Sequence, residues 1–511
     1  LDPANTRPIV DKMMQVALNF GTLAEQDPII AIPLFTLAGT IMTHGGISAR
    51  LVAVARALVG WLPGGLGMAC VGACTLFAAI SGSSAVTIIA IGGLVYPALR
   101  KEQFSDSFSL GLITSCGAIG ILIPPSLPLI VYGVVASNAT ANASLKPQIA
   151  DLFQAGLIPS LLSVLVLCAY CSAVAVARKI PAERFSFGQL LATLKRGFFA
   201  LALIAILLGG IYGGYTTATE ASAVACIYAL IVELLIHREI GLEDLLKIGT
   251  ETVTLVGVIL MVLVSALALT NYLEVQKIPD IATDRMQWDQ LTVRAERFSD
   301  ADFEQVDVRV CVLAELPGGG IRIRPLTSSA TADVAAAGIG KREKYEERIV
   351  GRVRAQGDDL VVDVKEPADW DGARVVYVPK TAVVQQVGPL VHSKLGLLLV
   401  VNLLLLVVGS VMDIYSGIVV IAPLIVPMAV AYHVSLVHLG IIFVLNLELG
   451  LAHPPLGINL FIAQSYFRKS IMEVTVAAIP FLLLLLGVLG AVTYWEPLSL
   501  FLVQHAPKAG G

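Results

Sequence analysis

The sequence predicts an all-α polytopic membrane protein, built on a duplicated half with interrupted helices and carrying a small β-rich soluble insertion. Three observations lead there. Of the 511 residues, 56% are hydrophobic and only 14% charged, with a mean hydropathy of +0.82, a composition outside the range of ordinary water-soluble domains. Apolar stretches long enough to cross about 30 Å of hydrocarbon recur, at 152–177, 198–215, 250–272, 395–411 and 475–494 among others; a criterion of about 20 apolar residues gives roughly ten to thirteen membrane segments, some short or broken. The third observation is a Pro-Pro pattern that occurs twice at one spacing.

The insertion is marked by charge. Residues 278–391 hold 15 Lys+Arg and 19 Asp+Glu, which accounts for the whole net charge of −4 and leaves 19 of each sign in the remainder. Three domains are therefore expected: a first membrane half over 1–277, the insertion over 278–391 and a second membrane half over 392–511. Alternating runs at 306–313, 321–324 and 359–365 read as half-exposed strands, with turns at 318–320 and 357–359. Lys and Arg in short loops mark the cytoplasmic side. The loop with Arg178, Lys179, Arg184, Lys195 and Arg196 belongs there; the hairpin 198–236 returns to Arg238 and Lys247, and the segment 250–272 then crosses outward. The insertion is thereby predicted to be extracytoplasmic, on the periplasmic side in a bacterium. The small net charge gives no sign of nucleic-acid binding.

Seven cysteines are present, and only Cys168 and Cys171 stand at a metal-like spacing. They lie in an apolar segment with no second pair or histidine beside them, so they read as helix-packing residues. Cys311 alone lies in a polar region, which argues against a disulfide framework. The chain begins Leu1-Asp2-Pro3 with no signal peptide, and an upstream portion is expected.

Leu94-Val-Tyr-Pro97 is followed 27 residues later by Pro124-Pro125, and Leu424-Ile-Val-Pro427 is followed 27 residues later by Pro454-Pro455. Each Pro-Pro has glycine four residues before it, at Gly120 and Gly450. Proline removes a backbone donor and frees a carbonyl, and in hydrocarbon such broken backbone is tolerated only where it is buried in protein or lines a cavity. Interrupted segments at matching places in two halves point to a transporter's central binding site. Beside the first break lies Ser81-Gly82-Ser83-Ser84, whose hydroxyls and carbonyls suit a small cation such as Na⁺ and an anionic solute. Close helix packing through small residues is the competing reading; the repeated Gly-x-x-x-Pro-Pro favours the ion site.

At these residues the sequence resembles the large membrane (M) subunit of the tripartite ATP-independent periplasmic (TRAP) transporters. The resemblance is carried by Ile32-Pro-Leu-Phe-Thr-Leu-Ala-Gly39, Phe77-Ala-Ala-Ile-Ser-Gly-Ser-Ser84, Ile123-Pro-Pro-Ser126, Gly209-Gly-Ile-Tyr-Gly-Gly214 with Thr219-Glu-Ala221, Gly409-Ser-Val-Met-Asp413 and Pro454-Pro-Leu-Gly457. It implies two inverted structural repeats with re-entrant hairpins and broken helices, at about 66–137 and about 400–467, forming an elevator-type transport domain beside a scaffold. It further implies sodium-coupled import of small organic acids, C4-dicarboxylates among them, across the bacterial inner membrane. The partners would be a periplasmic solute-binding (P) protein, a small membrane (Q) subunit and the lipid bilayer. Na⁺ would be the coupling ion, with no organic cofactor; no Gly-x-x-x-x-Gly-Lys-Ser/Thr motif is present for ATP.

Carried over position by position, the resemblance assigns a first sodium site to Ser81, Ser83, Gly120, Ile123 and Pro125, mostly through carbonyl oxygens, the hard ligands a hard cation prefers. A second would use Gly409, Met412, Gly450, His453 and Pro455, and the solute cavity Ser84, Thr87, Asp413 and Asn446. The chain departs from the family pattern at His453, where threonine is frequent, and at Ala218, where proline is usual. The insertion is not a standard feature, and the family's first membrane helix would lie ahead of Leu1.

Asp413 reads as solute ligand or helix cap, Glu220 as the opening charge of a helix, and Glu448 as a buried acid with an internal partner. His453 offers a titratable group near neutrality, against a packing role. A stand-alone divalent-anion or cation/proton antiporter is the alternative to a binding-protein-dependent importer. A membrane enzyme is disfavoured, since neither His-Glu-x-x-His nor Gly-x-Ser-x-Gly occurs, and a receptor does not account for the duplicated breaks.

Overall fold

The computed structural model describes residues 27–140, 145–275, 394–454 and 456–505, together with five strands between 310 and 376. The first helices are α1 (Asp27–His44) and α2 (Ile47–Val59), which meet at a 77° bend. A hairpin follows, formed by α3 (Gly65–Ser81) and α4 (Ser84–Lys101). Next comes α5 (Asp106–Ile119), which tightens into a 3₁₀ turn at Gly120–Leu122, breaks at the prolines and continues after a 50° bend as α6 (Leu127–Asn138). Four long helices come next: α7 (Ile149–Arg178), α8 (Phe187–Tyr212), α9 (Ala218–Leu230) with a π-helical last turn at Ile231–His237, and α10 (Leu242–Val275). After the insertion, α11 (Lys394–Val411) and α12 (Ile414–Ala431) form a second hairpin, and α13 (Leu436–Leu451) and α14 (Ile458–Phe467) a second broken pair. The last helices are α15 (Ile471–Tyr494) and α16 (Pro497–His505).

Among the described residues, six helices are long and apolar enough to cross a membrane, or up to eight if each bent pair is one span; α3, α12 and α13 are shorter apolar helices. In the four helices α7 to α10 no more than 39% of the crossing window is buried. Much of their remaining apolar surface, including Leu161, Leu165, Phe198, Leu235 and Met261, is exposed, as expected where the solvent is lipid. The opposite holds for α13, in which every residue except Val437 is buried. A helix apolar all round belongs in a core. It packs against α5, α6, α7 and α15, and Tyr132 of α6 donates to the Leu436 carbonyl at its start, at 2.9 Å.

The two hairpin-plus-broken-helix units correspond residue for residue at an offset of 330. Ser83 caps α4 and Asp413 caps α12. Pro97 lies inside α4 and Pro427 at the same place in α12. Gln103 and His433 both take the left-handed conformation between hairpin and broken helix. At the breaks themselves the Ile123 amide donates to the Gly120 carbonyl and the His453 amide to the Gly450 carbonyl, each at 3.0 Å. Both bonds have one cause. Pro124 and Pro454 offer no N–H to the carbonyl four residues back, and a tighter i→i+3 bond takes over.

A second compact unit comprises residues 278–396, apart from the unit of 1–277 and 397–511. It contains β1 (Val310–Leu316), β2 (Gly320–Pro325), β3 (Gly351–Gln356), β4 (Asp359–Val364) and β5 (Val375–Val376) in an antiparallel sheet of order β3-β4-β2-β1-β5. A register shift interrupts the β1–β2 ladder between Val312 and Ala314. The described parts of the expected runs, 310–313, 321–324 and 359–364, fall on β1, β2 and β4, whereas 306–309, 365 and the expected turn positions 318–319 and 357–358 lie outside the described residues. The alternation of β3, Gly-Arg-Val-Arg-Ala-Gln, carries the same signal and was not among the expected strands.

Candidate functional site

The residues from Ile80 to Ser84 form the tip of the first hairpin. Gly82 takes φ +64°, a left-handed conformation that glycine adopts without steric cost, and this lets the chain reverse between two helices. Ser83 then caps α4, accepting from the Val86 amide at 3.4 Å. Its carbonyl accepts from Thr87 Oγ1 at 2.8 Å, while Ser81 Oγ lies 3.3 Å from Thr87 Oγ1 and 3.4 Å from the Ser83 carbonyl. Ser81, Ser83 and Thr87 thus bring two hydroxyls and one carbonyl oxygen within 3.4 Å of one another. Gly120 sits against the same helix: a Cβ there would lie 2.2 Å from the Thr75 carbonyl and 2.7 Å from the Ala78 side chain. The break is consequently seated on the face of α3 that leads, three residues after Ala78, to Ser81.

Parts distant in sequence close over this tip. Ser84 donates to Asn459 Oδ1 at 2.9 Å, across 375 positions. Tyr415 donates to the Gly82 carbonyl at 3.3 Å, across 333 positions. Leu127, the first residue of α6, packs where a Gly82 side chain would stand. The Nδ2 of Asn459 is buried without a partner, so a donor is held at the tip. Asn459 and Tyr415 escaped the sequence reading. The signal that marks them is a polar side chain in the first turn of a helix that begins at a break or a tip.

The second set of expected ligands is held differently. Gly450 lies backbone to backbone on Gly409, and a Cβ on it would stand 2.5 Å from Gly409 Cα. The Met412 amide closes α11 on the Val408 carbonyl at 2.9 Å. His453 is half-buried, and Pro455 lies outside the described residues. Asp413 is exposed and serves as the cap of α12, where Oδ2 accepts from the Tyr415 and Ser416 amides at 3.0 and 3.1 Å. Asn446 is taken up elsewhere: its Nδ2 donates to Asn402 Oδ1 at 2.7 Å, and Asn402 in turn donates to Thr493 at 3.0 Å. The structure therefore brings Ser81, Ser83, Ser84 and Thr87 together with the first break, sets Gly409 on Gly450, and gives Asp413 and Asn446 partners of their own. Glu220 completes a capping box with Thr217. Glu448 and Ser115 line one small cavity between α5 and α13, each with a buried oxygen that has no partner.

Membrane-crossing helices around two hairpins and two helices broken at mid-chain make up the architecture of a membrane transport protein. Residues 4–289 and 377–498 match the tripartite ATP-independent periplasmic transporter, DctM component, and the chain belongs to that family as a large permease subunit. It is 29% identical over 495 residues to the C4-dicarboxylate TRAP transporter large permease protein DctM of Rhodobacter capsulatus, covering 95% of this chain and 89% of the relative. Identity to the DctM protein of Vibrio cholerae is 32% over 477 residues, covering 93% and 85%. The isethionate TRAP transporter permease protein DctMQ of Oleidesulfovibrio alaskensis is 28% identical and longer, the chain spanning 60% of it. Among solved structures, the YdaH transporter of Alcanivorax borkumensis has the same fold at a TM-score of 0.55 and 13% identity, with 97% of this chain and 90% of that one covered. The protein is a multi-pass inner-membrane permease and not an enzyme.

Proposed function

We propose that this chain carries a small organic anion across the inner membrane together with Na⁺. The solute arrives from a periplasmic binding protein, and a small membrane subunit braces the permease. The observation that carries this reading is the pair of breaks closed by the same bond, Ile123 to Gly120 and His453 to Gly450, each beside a capped hairpin tip. On this reading the units containing α3 to α6 and α11 to α14 are two inverted repeats whose hairpins re-enter the membrane. They form the moving body of an elevator, and the helices α7 to α10 belong to the scaffold. Na⁺ binds at Ser81 and Ser83 beside the Gly120–Ile123 break, and a second ion at the Gly409–Gly450 contact. Ser84 and Thr87 face the solute. The relatives' names include both a C4-dicarboxylate and the sulfonate isethionate, so a single acidic group is the shared chemistry, and the binding protein selects among acids. The joined M and Q of one relative's name supports the small subunit as partner. On this reading the insertion faces the periplasm, the side on which the binding protein delivers its solute.

The test is uptake of labelled succinate and isethionate into proteoliposomes that hold the assembled transporter, with and without its binding protein and with an inward gradient of Na⁺ or choline. Uptake that needs both the protein and Na⁺ supports the reading. Full uptake in choline refutes sodium coupling, and full uptake without the binding protein favours the stand-alone antiporter.

A further inference from the structure

The elbow between α1 and α2 holds a cluster of charges that the transport reading leaves unused. The chain turns there at Gly45 and Gly46. Arg50, in the first turns of α2, donates to Glu239 through Nη2 and lies 3.1 Å through Nη1 from His237 Nδ1. Glu239 also accepts from the Gly46 amide at 2.6 Å. His237 Nδ1 is 3.2 Å from Oε1 of Glu233, four residues back in the π-helical turn. The Glu233 side chain is wholly buried, and its Oε2 has no partner. Gly45 makes this possible, since a Cβ there would stand 2.3 Å from that oxygen. Ligating atoms of Glu233, His237 and Glu239 lie within 4.8 Å of one another, but the Arg50 guanidinium already stands against them as counter-charge, which disfavours a metal ion.

Charge counting leaves one position open. Glu239 is held below the usual carboxylate range, because the push upward from partial burial is outweighed by the Gly46 amide and Arg50; it stays ionised and balances Arg50. Of the surrounding groups, His44 at the end of α1 pairs with Glu251 of α10 at 3.5 Å. Asp244 and Lys247 of α10 pair at 3.8 Å, and Arg238 bonds to the Leu235 carbonyl. On α8, the Phe199 ring packs at a near right angle to His237, with centroids 5.5 Å apart, while Lys195 and Arg196 are exposed. What remains is Glu233 with His237, whose Nδ1 carries either one proton or one lone pair. A neutral His237 beside an ionised Glu233 leaves an uncompensated charge in the interior, which is costly. One added proton removes it.

We propose that this cluster is a proton-binding site, in which one proton held between Glu233 and His237 latches the α1–α2 elbow onto the end of α9. The latched form holds one proton more than the open form, so it dominates at low pH and is lost as pH rises. Wherever the open form has lost that proton and the latched form keeps it, the latched-to-open ratio falls about tenfold per pH unit. The elbow joins α1, which packs on α9 and α10, to α2, which packs on α3 of the first hairpin. Proton loss thereby frees the attachment of the hairpin. That consequence rests on the transport reading; the site itself does not.

The experiment places nitroxide labels at Ala49→Cys and Leu235→Cys in the assembled transporter, on a background of Cys168→Ser and Cys311→Ser that leaves only buried cysteines, and records distances between about pH 5.5 and 8.5. The expected result is one narrow distance at low pH and a second, longer population growing tenfold per unit at high pH. Glu233→Gln removes the buried charge and stays latched throughout, whereas His237→Gln shows the open population across the range. A pH-invariant distance in the unsubstituted cluster, or a Glu233→Gln variant that keeps the original response, overturns the proposal; should one variant not fold, the other and the parent still decide. Sodium-driven uptake with no pH response of the elbow defeats the latch alone, and an intact response without uptake defeats the transport reading alone.

Discussion

Gly450→Ala tests the idea that the second break works by backbone-to-backbone contact with its hairpin. A Cβ at 450 would lie 2.5 Å from the Gly409 carbonyl carbon and Cα and 2.9 Å from the Ser410 amide nitrogen. Carbon atoms rest at about 3.5–4.0 Å, so α11 and α13 must separate by about 1 Å, and backbone atoms cannot yield by changing rotamer. Overpacking of this kind costs about 1–3 kcal/mol. The control is Gly487→Ala in α15, where a Cβ meets nothing within 4 Å and the replacement gains about 0.5–1 kcal/mol from the stiffer backbone. Thermal unfolding of the purified transporter in detergent, at one fixed scan rate and followed by tryptophan fluorescence, reads both. Gly450→Ala should unfold earlier than the parent and Gly487→Ala no earlier, and the first should also lose sodium-driven uptake. Equal unfolding temperatures for the two variants would refute the contact as the element holding the second break.

Three further outcomes are expected. Addition of Na⁺ at about 100 times its dissociation constant should stabilise the protein by about 2.7 kcal/mol per site relative to choline, and Ser81→Ala should reduce that gain; identical curves in the two salts would exclude a bound ion. Ser84→Ala leaves Asn459 without its hydrogen bond and should cost about 1–3 kcal/mol; combined with Tyr415→Phe the loss should depart from additivity by at least about 0.5 kcal/mol if the tip moves as one piece. Asp413→Ala removes the α12 cap, at about 0.5–2 kcal/mol. Asp413→Asn keeps an acceptor and should keep most of that stability, so loss of uptake in a stable Asn variant would assign the carboxylate to the solute.

The membrane class, the duplicated breaks and most of the inserted strands were legible because each depends on residues close together in the chain. Proline lacks an N–H wherever it stands, so Pro124 and Pro454 announce their interruptions without reference to anything else. Alternation in β1, β2 and β4 is local in the same way. The partners were a different matter. That Ser84 meets Asn459, that Tyr415 covers Gly82, and that Asn446 spends its amide on Asn402 follow from how helices 44 to 375 residues apart in the chain pack, and one hydroxyl or amide in an apolar run carries no mark of its partner. Asp413 illustrates the limit. Sequence placed an acid at the start of a helix, and only the fold decided that both of its near amides were within reach. Covalent chemistry settles where a chain must break, whereas the identity of the groups that meet at the break is decided by the close packing of the whole.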